Sequence, residues 1–369
     1  MQKKSKQNNE SKTMNIDDAY RADTGLAWIL QYENIAWYEE GKVAILDRRI
    51  YPIRTEFVIC RSYKEVARAI ADMVTQSAGP YVAAAMGMAL SAYECRKLKA
   101  VEQKAYLEEA AEALSTARPT TSKRMKQVTN SCLKIAFDCI EEEIDDVAEM
   151  IKRHAINLNN ERYDRIGRAA NYLVEKFPSN GKVMTQCFAE TMVGQMLKYA
   201  KLKGKEVSLY CPETRPYFQG SRLTASVGYD MGFDVNVITD NMPAAVMKNE
   251  RIDLFTSAAD VICRDGHVVN KVGTYQIAIT ADYHGIPYYV TGTPDTGHRD
   301  VSTVTIEMRN PALVLSAMGT PCANPNVNAY YPAFDITPPE LVKGVVTDKG
   351  IFSPYELDKY VSEGESFLV

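Results

Sequence analysis

From residue 183 onward, short apolar runs alternate with amphipathic stretches, and the connections between them are short. Runs at 183–185, 207–210, 235–238, 254–255 and 288–290 read as strands; stretches at 189–202, 223–231, 243–248 and 275–283 read as helices. Parallel neighbours need a crossover connection, and a helix of this length supplies one. The alternation therefore predicts an α/β fold with a Rossmann-like, doubly wound parallel sheet. In such a sheet, ligands bind outside the carboxyl ends of the strands. Functional residues are to be sought in the loops that leave those ends.

The first half has a different texture. Residues 36–46 read as a β-hairpin turning at Gly41, and 57–60 as another strand. Ser62, with Glu65 three residues on, has capping-box spacing. Val66, Ala69, Ile70 and Met73 follow at helical intervals. The Ala- and Met-rich stretch 81–90 is apolar on all sides, as a buried helix is. Helical patterns continue at 101–115, 120–141 and 144–175, and Pro119 places Arg118 at a helix entrance. The expected organisation is a disordered polar leader at 1–15, an N-terminal β-hairpin plus helical domain at 16–175, and a Rossmann-like catalytic domain at 176–369. The tail from around residue 300 reads as irregular and Pro-rich, with a strand at 304–306.

Composition narrows the function classes. The 369 residues carry a formal net charge of −4. Binding a phosphate backbone needs a basic face, so nucleic acid is not the expected partner. No apolar run approaches the roughly 20 residues that span a bilayer, and no membrane segment is expected. The eight cysteines form no C-x-x-C pair and the four histidines are scattered, so no metal site is expected. Free thiols fit a reducing compartment, hence a cytoplasmic protein. Neither G-x-G-x-x-G nor G-x-x-x-x-G-K-[ST] occurs, which leaves a dinucleotide or nucleoside triphosphate cofactor unsupported.

Polar residues mark the strand ends. Cys187 follows the first strand, at or just before a helix N-terminus, a position that favours thiolate; core packing is the alternative for such a thiol. The loop after the second strand holds Arg215, Gln219, Gly220 and Arg222, which suits an anion, although Glu213 and Arg215 could simply pair. Asp240 sits before Pro243, where capping explains it as well as a substrate role does. Asp260 lies just past the strand at 252–256, behind Ala258 and Ala259. Asn270, Lys271, Gly273 and Thr274 read as a helix start, where N–H groups and the dipole favour an anion. A carboxylate and a cation facing one pocket suggest an acid/base group beside a phosphate site.

These residues form an ordered series. Glu213-Thr214-Arg215-Pro216, Gln219-Gly220-Ser221-Arg222-Leu223-Thr224, Ile238-Thr239-Asp240-Asn241-Met242, Ala259-Asp260, Asn270-Lys271-Val272-Gly273-Thr274-Tyr275 and Tyr331-Pro332-Ala333-Phe334-Asp335-Ile336-Thr337-Pro338 together resemble the methylthioribose-1-phosphate isomerase family, grouped with ribose-1,5-bisphosphate isomerases and the regulatory subunits of translation initiation factor 2B. The resemblance covers nearly the whole chain beyond residue 30. It implies conversion of an aldose 1-phosphate to a ketose 1-phosphate without metal or organic cofactor, a small-molecule sugar phosphate as partner, and a homodimer. It implies catalysis by Cys187 and Asp260, and substrate contacts from Arg118, Gln219, Asn270 and Lys271. The chemistry agrees: phosphorylation at C1 blocks free ring opening, so one group must protonate the ring oxygen and another must deal with the C2 hydrogen. Asp260 in an apolar setting suits the acid, and Cys187 suits a base if a proton moves; a hydride shift is the other route. Three segments depart from the family pattern. Gln76-Ser77-Ala78-Gly79-Pro80 stands where the family has Arg-Gly-Ala-Pro, Phe188-Ala189-Glu190 where it has Asn-Ala-Gly, and the loop at 293–298 differs. The resemblance also allows a non-catalytic sugar-phosphate-sensing subunit.

Overall fold

The computed structural model describes residues 20–118 and 122–362; the leader expected at 1–15 and Pro119 lie outside the described residues. Strands β1 (Ala36–Glu39) and β2 (Lys42–Leu46) form the hairpin, with Ala36 opposite Ile45, and Gly41 takes the left-handed turn at φ 79°. β3 (Phe57–Cys60) adds to β2. Helix α1 (Tyr63–Ala71) starts at Ser62, whose hydroxyl accepts the Glu65 N–H. The Glu65 carboxylate accepts from the N–H of Arg61, one residue before the N-cap, and so does not close a capping box.

Helix α2 (Gly79–Cys95) is the Ala- and Met-rich stretch, and nearly every residue of it is buried. It packs against α1, α3 (Ala100–Thr116), α4 (Ser122–Glu141) and α5 (Val147–Val174). Small residues all round let four neighbours approach closely. At Gly87, for instance, a Cβ would crowd Leu114 and Val66.

The second half alternates as expected. In order come β4 (Asn180–Met184), α6 (Thr191–Leu202), β5 (Glu206–Pro212), α7 (Ala225–Asp230), β6 (Asp234–Ile238), α8 (Pro243–Glu250), β7 (Leu254–Ala258), β8 (Val261–Ile262), β9 (Val268–Lys271), α9 (Thr274–Tyr283) and β10 (Tyr288–Thr291). The tail adds β11 (Ser316–Ala317), β12 (Thr320–Pro321), β13 (Phe334–Thr337), β14 (Gly344–Thr347), β15 (Gly350–Phe352) and α10 (Asp358–Ser362). The main sheet runs β15-β14-β10-β7-β4-β5-β6, parallel except for β15. This is the doubly wound order, with β4 and β7 adjacent where the winding reverses.

Three features depart from the sequence reading. Residues 304–306 are not a strand; only Met308 bridges, to Pro332. A second sheet, β13-β9-β8, is built from two strands inserted between β7 and α9 and a third from the tail. The sixth parallel strand, β14, comes from the tail. Its signal was hidden because the crossover from β10 is a long irregular segment with no helix of its own beyond short 3₁₀ turns. Among the described residues no helix is long and apolar enough to cross a membrane.

The π-helical turn Gly220–Thr224 follows β5 and folds tightly onto it. A Cβ at Gly220 would overlap the Pro212 carbonyl oxygen and press on Thr214. Gly220→Ala is therefore expected to cost about 1–3 kcal/mol, the usual range for overpacking. A drop in the urea midpoint at constant m-value is the measurement that checks it.

Candidate active site

The loops leaving β4 and β7 diverge on either side of the switch point, and each carries a predicted residue at its start. Cys187 stands three residues past β4 at φ 59°, in left-handed backbone. Its N–H donates to Thr214 Oγ1 (3.2 Å) and its carbonyl accepts from Thr224 Oγ1 (2.5 Å). Thr214 is held in turn by Asp240. One carboxylate oxygen accepts the Thr214 N–H (2.8 Å), the other the Arg215 N–H (2.7 Å). Asp240 is thus not the cap of α8, whose N-cap is Met242. It fixes the loop on which Cys187 rests.

Asp260 lies between β7 and β8, and its N–H donates to the Val269 carbonyl. Its side chain is open to solvent, yet protein surrounds it closely. Those facts fit a concave site, where a group is reachable but poorly hydrated. Burial pushes the Asp260 carboxyl above the ordinary range, while Lys271, Arg118, Arg124 and Arg309 pull it down. Cys187 is likewise partly accessible and densely surrounded. Burial pushes its thiol up to about 11, only partly offset by Lys271, and Asp260 adds to the rise. The expectation of a thiolate stabilised by a helix end is corrected here. Helix α6 does not begin until Thr191, so its dipole is not delivered to Cys187.

Lys271 and Asn270 also sit elsewhere than the sequence suggested. Both end strand β9 rather than opening a helix. Lys271 is buried, its ammonium donating to the Ala333 carbonyl (3.0 Å) and lying 4.7 Å from the centre of the Phe334 ring. Burial lowers its pKa; Cys187 and Asp260 support its charge. Asn270 is buried and donates to Thr274 Oγ1 (3.0 Å). The N-terminus of α9 is already occupied: Asp335 Oδ2 accepts the N–H groups of Gly273 (2.6 Å) and Tyr275 (3.1 Å). The anion at that helix start is the protein's own. Gln219 is buried at the entry to the π-helical turn, with its Oε1 unpartnered. Arg118 follows α3 and faces Asp260, Glu307 and Arg309.

Arg309, Arg124 and Glu307 were not singled out from the sequence, whereas Tyr331 opens one of the motifs of the series. Arg309 binds Glu307 through Nε (2.8 Å) and Nη2 (3.2 Å), and acts on Cys187, Asp260 and Lys271. Tyr331 is buried beside it. Glu307 and Arg309 lie two apart in a segment without periodicity, so no pattern in the sequence marks them. Four cations thus face Asp260, and Glu307 offsets one of them. The excess positive charge suits a phosphate.

The comparisons with known proteins bear on this geometry. Residues 74–354 match the model of the initiation factor 2 subunit family. The chain belongs to the initiation factor 2 subunit family. Methylthioribose-1-phosphate isomerase of Thermosipho melanesiensis is 34% identical over 335 residues, covering 85% of this chain and 94% of the relative. The enzyme of that name from Petrotoga mobilis is 35% identical over 338 residues, covering 86% and 95%. The crystal structure of 5-methylthioribose 1-phosphate isomerase from Pyrococcus horikoshii superposes with TM-score 0.80 at 29% identity, covering 89% of this chain and 96% of that one. The structure of translation initiation factor eIF-2B, subunit delta, from A. fulgidus has TM-score 0.76 at 32% identity, covering 86% and 95%. The family thus spans enzymes and translation factors on one fold, and the residues at the switch point must decide between them.

Asp335 offers a direct check on the site's electrostatics. Burial raises its carboxyl to about 6 in spite of the two N–H bonds. The folded protein then holds this proton more tightly than the unfolded chain. The resulting stability is present in acid and is lost as pH rises from the ordinary carboxylate value through about 6. Asp335→Asn keeps an oxygen for the Gly273 and Tyr275 N–H groups and removes the titration. Its melting temperature relative to wild type is expected to be more favourable at neutral pH than below pH about 4. Parallel melting curves that keep the same offset at both pH values would contradict this.

Proposed function

We propose that the chain is an aldose-1-phosphate to ketose-1-phosphate isomerase acting on 5-methylthioribose 1-phosphate in methionine salvage. The observation that carries the proposal is the meeting of Asp260, Cys187 and Lys271 at the switch point, with Arg118 and Arg309 closing round Asp260. The methylthioribose-1-phosphate isomerases among the relatives support the same reading.

In this reading the phosphate is held by Lys271, Arg118 and Arg309, and Gln219 and Asn270 contact the sugar. Asp240 serves the substrate indirectly, through the loop it fixes. Asp260, protonated, gives its proton to the ring oxygen as the C1–O4 bond breaks. Cys187 as thiolate takes the C2 proton; the electron pair forms the C1–C2 double bond of an enol. The proton returns to C1 and the O2 proton leaves, giving the C2 ketone with phosphate still on C1. A second reading is favoured by the elevated Cys187 pKa. A hydride moving from C2 to C1 needs no thiolate, only a group to take the O2 proton.

A panel of 5-methylthioribose 1-phosphate, 5-deoxyribose 1-phosphate and ribose 1,5-bisphosphate, followed by phosphorus NMR, tests the reaction and ranks the substrates. Binding of all three without any ketose product would make the chain a sensing subunit instead. Cys187→Ala and Asp260→Asn are each expected to abolish turnover while leaving the circular dichroism unchanged. Arg309→Gln is expected to raise KM by tenfold or more, from loss of about 1.5–3 kcal/mol of charge-assisted bonding. The proton route needs Cys187 ionised and Asp260 protonated in the same molecule, so kcat/KM is expected to fall at both pH extremes. In D2O the proton route places deuterium at C1 of the product; a product free of deuterium selects the hydride shift. The family likeness also carries a homodimer, which sedimentation at micromolar concentration would check.

A further inference from the structure

Two of the segments that depart from the family pattern, 76–80 and 188–190, are far apart in sequence and meet in space behind Cys187. The chain leaves β4 through a turn in which Cys187 (φ 59°) and Glu190 (φ 48°, ψ −111°) both take backbone that favours glycine. Such residues persist only where their surroundings hold them. Thr214 and Thr224 hold the Cys187 end. At the other end the Phe188 carbonyl accepts from Ser77 Oγ (2.9 Å), and Glu190 Oε2 accepts the N–H of Ala78, the N-cap of α2 (2.5 Å). Glu190 Oε1 lies 2.8 Å from Arg48 Nη2, as an ion pair without in-line hydrogen-bond geometry. Arg48 is fully buried, and its Nη1 donates to the Gln76 carbonyl (2.7 Å). Its guanidinium lies 5.7 Å from the centre of the Phe188 ring.

Stability alone does not account for this arrangement. A buried ion pair is replaceable by apolar side chains of similar volume at little or no loss, whereas it does fix geometry. Here the fixed element is the turn that carries the thiol. We propose that Glu190 is a positioning residue for Cys187: bound to Arg48 and the Ala78 N–H, it clamps the far end of the strained turn and so sets the place of the sulfur beside Asp260. The kinetic part of the test rests on the isomerase reading; the chemical part does not.

Glu190→Gln keeps an acceptor for Ala78 and loses the charge facing Arg48. Glu190→Asp keeps the charge, and with it the fold, but is one methylene too short to serve both partners. Each variant is compared with wild type by circular dichroism, by kcat and KM, and by the rate at which iodoacetamide alkylates the Cys187-containing peptide, read by mass spectrometry. The expected result for a folded variant is a fall in kcat of about tenfold or more with KM little changed, since small misplacements of a reacting group have effects of that size. Cys187 alkylation is expected to change severalfold in the same variants. If wild type converts no pentose 1-phosphate, the isomerase reading fails and the alkylation rates alone decide the positioning role. Unchanged Cys187 alkylation in both folded variants overturns the proposal, whether or not kcat falls, because the thiol's setting would then not depend on Glu190.

Discussion

The site depends on one piece of strand pairing, β4 beside β7 in parallel register, with Val183 opposite Leu254 and Met184 opposite Phe255. From that seam the chain winds toward β5 and β6 on one side, and toward β10 and β14 on the other. The loops after β4 and β7 therefore leave in opposite senses and cannot cover the gap between them. Cys187 and Asp260 are 73 positions apart in the chain and become neighbours because each begins one of these two loops. A one-residue slip at the seam would turn the faces of one strand over relative to the other and misdirect the loop that leaves it.

Strand pairing alone leaves the loops free to move, and side chains remove that freedom. Asp240 holds Thr214, Thr214 and Thr224 hold Cys187, and β9 holds the backbone of Asp260 through Val269. Asp240 comes from the β6–α8 junction, Thr214 and Thr224 from the β5–α7 junction, and Val269 from the segment between β7 and α9, while Cys187 itself follows β4. Preorganisation is thus spread over four loops, and the sheet supplies only the frame on which they converge. That is why the hydroxyls and the carboxylate that do the holding are buried or half-buried although they touch no reacting atom in the proposed chemistry.

The sheet was legible because helical crossovers leave a periodic trace. The strand ends were legible for the same reason, and with them Cys187 and Asp260 as candidates. What escaped was whatever lacks period. Strands β8, β9 and β13 are only two to four residues long, and β9 pairs with β13 across more than 60 residues of sequence, so Asn270 and Lys271 read as a helix start. Strand β14 follows no helix. Arg309 and Glu307 lie in irregular backbone whose meaning comes wholly from what it packs against. The helix-end reading of the Cys187 thiol failed by the few residues between Cys187 and α6, a distance that matters because the dipole acts only within the first turn.

Helix N-termini are the cheapest anion sites a fold offers, and here two of them are taken by the chain itself. Asp335 occupies the start of α9, and Glu190 the N-cap N–H of α2. A substrate phosphate at either place would meet a fixed negative charge. Under the isomerase reading its charge falls instead on Lys271, Arg118 and Arg309, all drawn toward Asp260. Side-chain cations in a poorly hydrated recess act more strongly than exposed ones, but only while water is kept out. They also oppose one another: Arg309 and Arg118 both lower the affinity of Lys271 for its proton. A phosphate entering among them relieves that repulsion, so its binding and the ionisation of Lys271 support each other. Cys187 depends on the same cations: Lys271 and Arg309 both favour its thiolate, so the protonation of the thiol is coupled to whatever those cations bind.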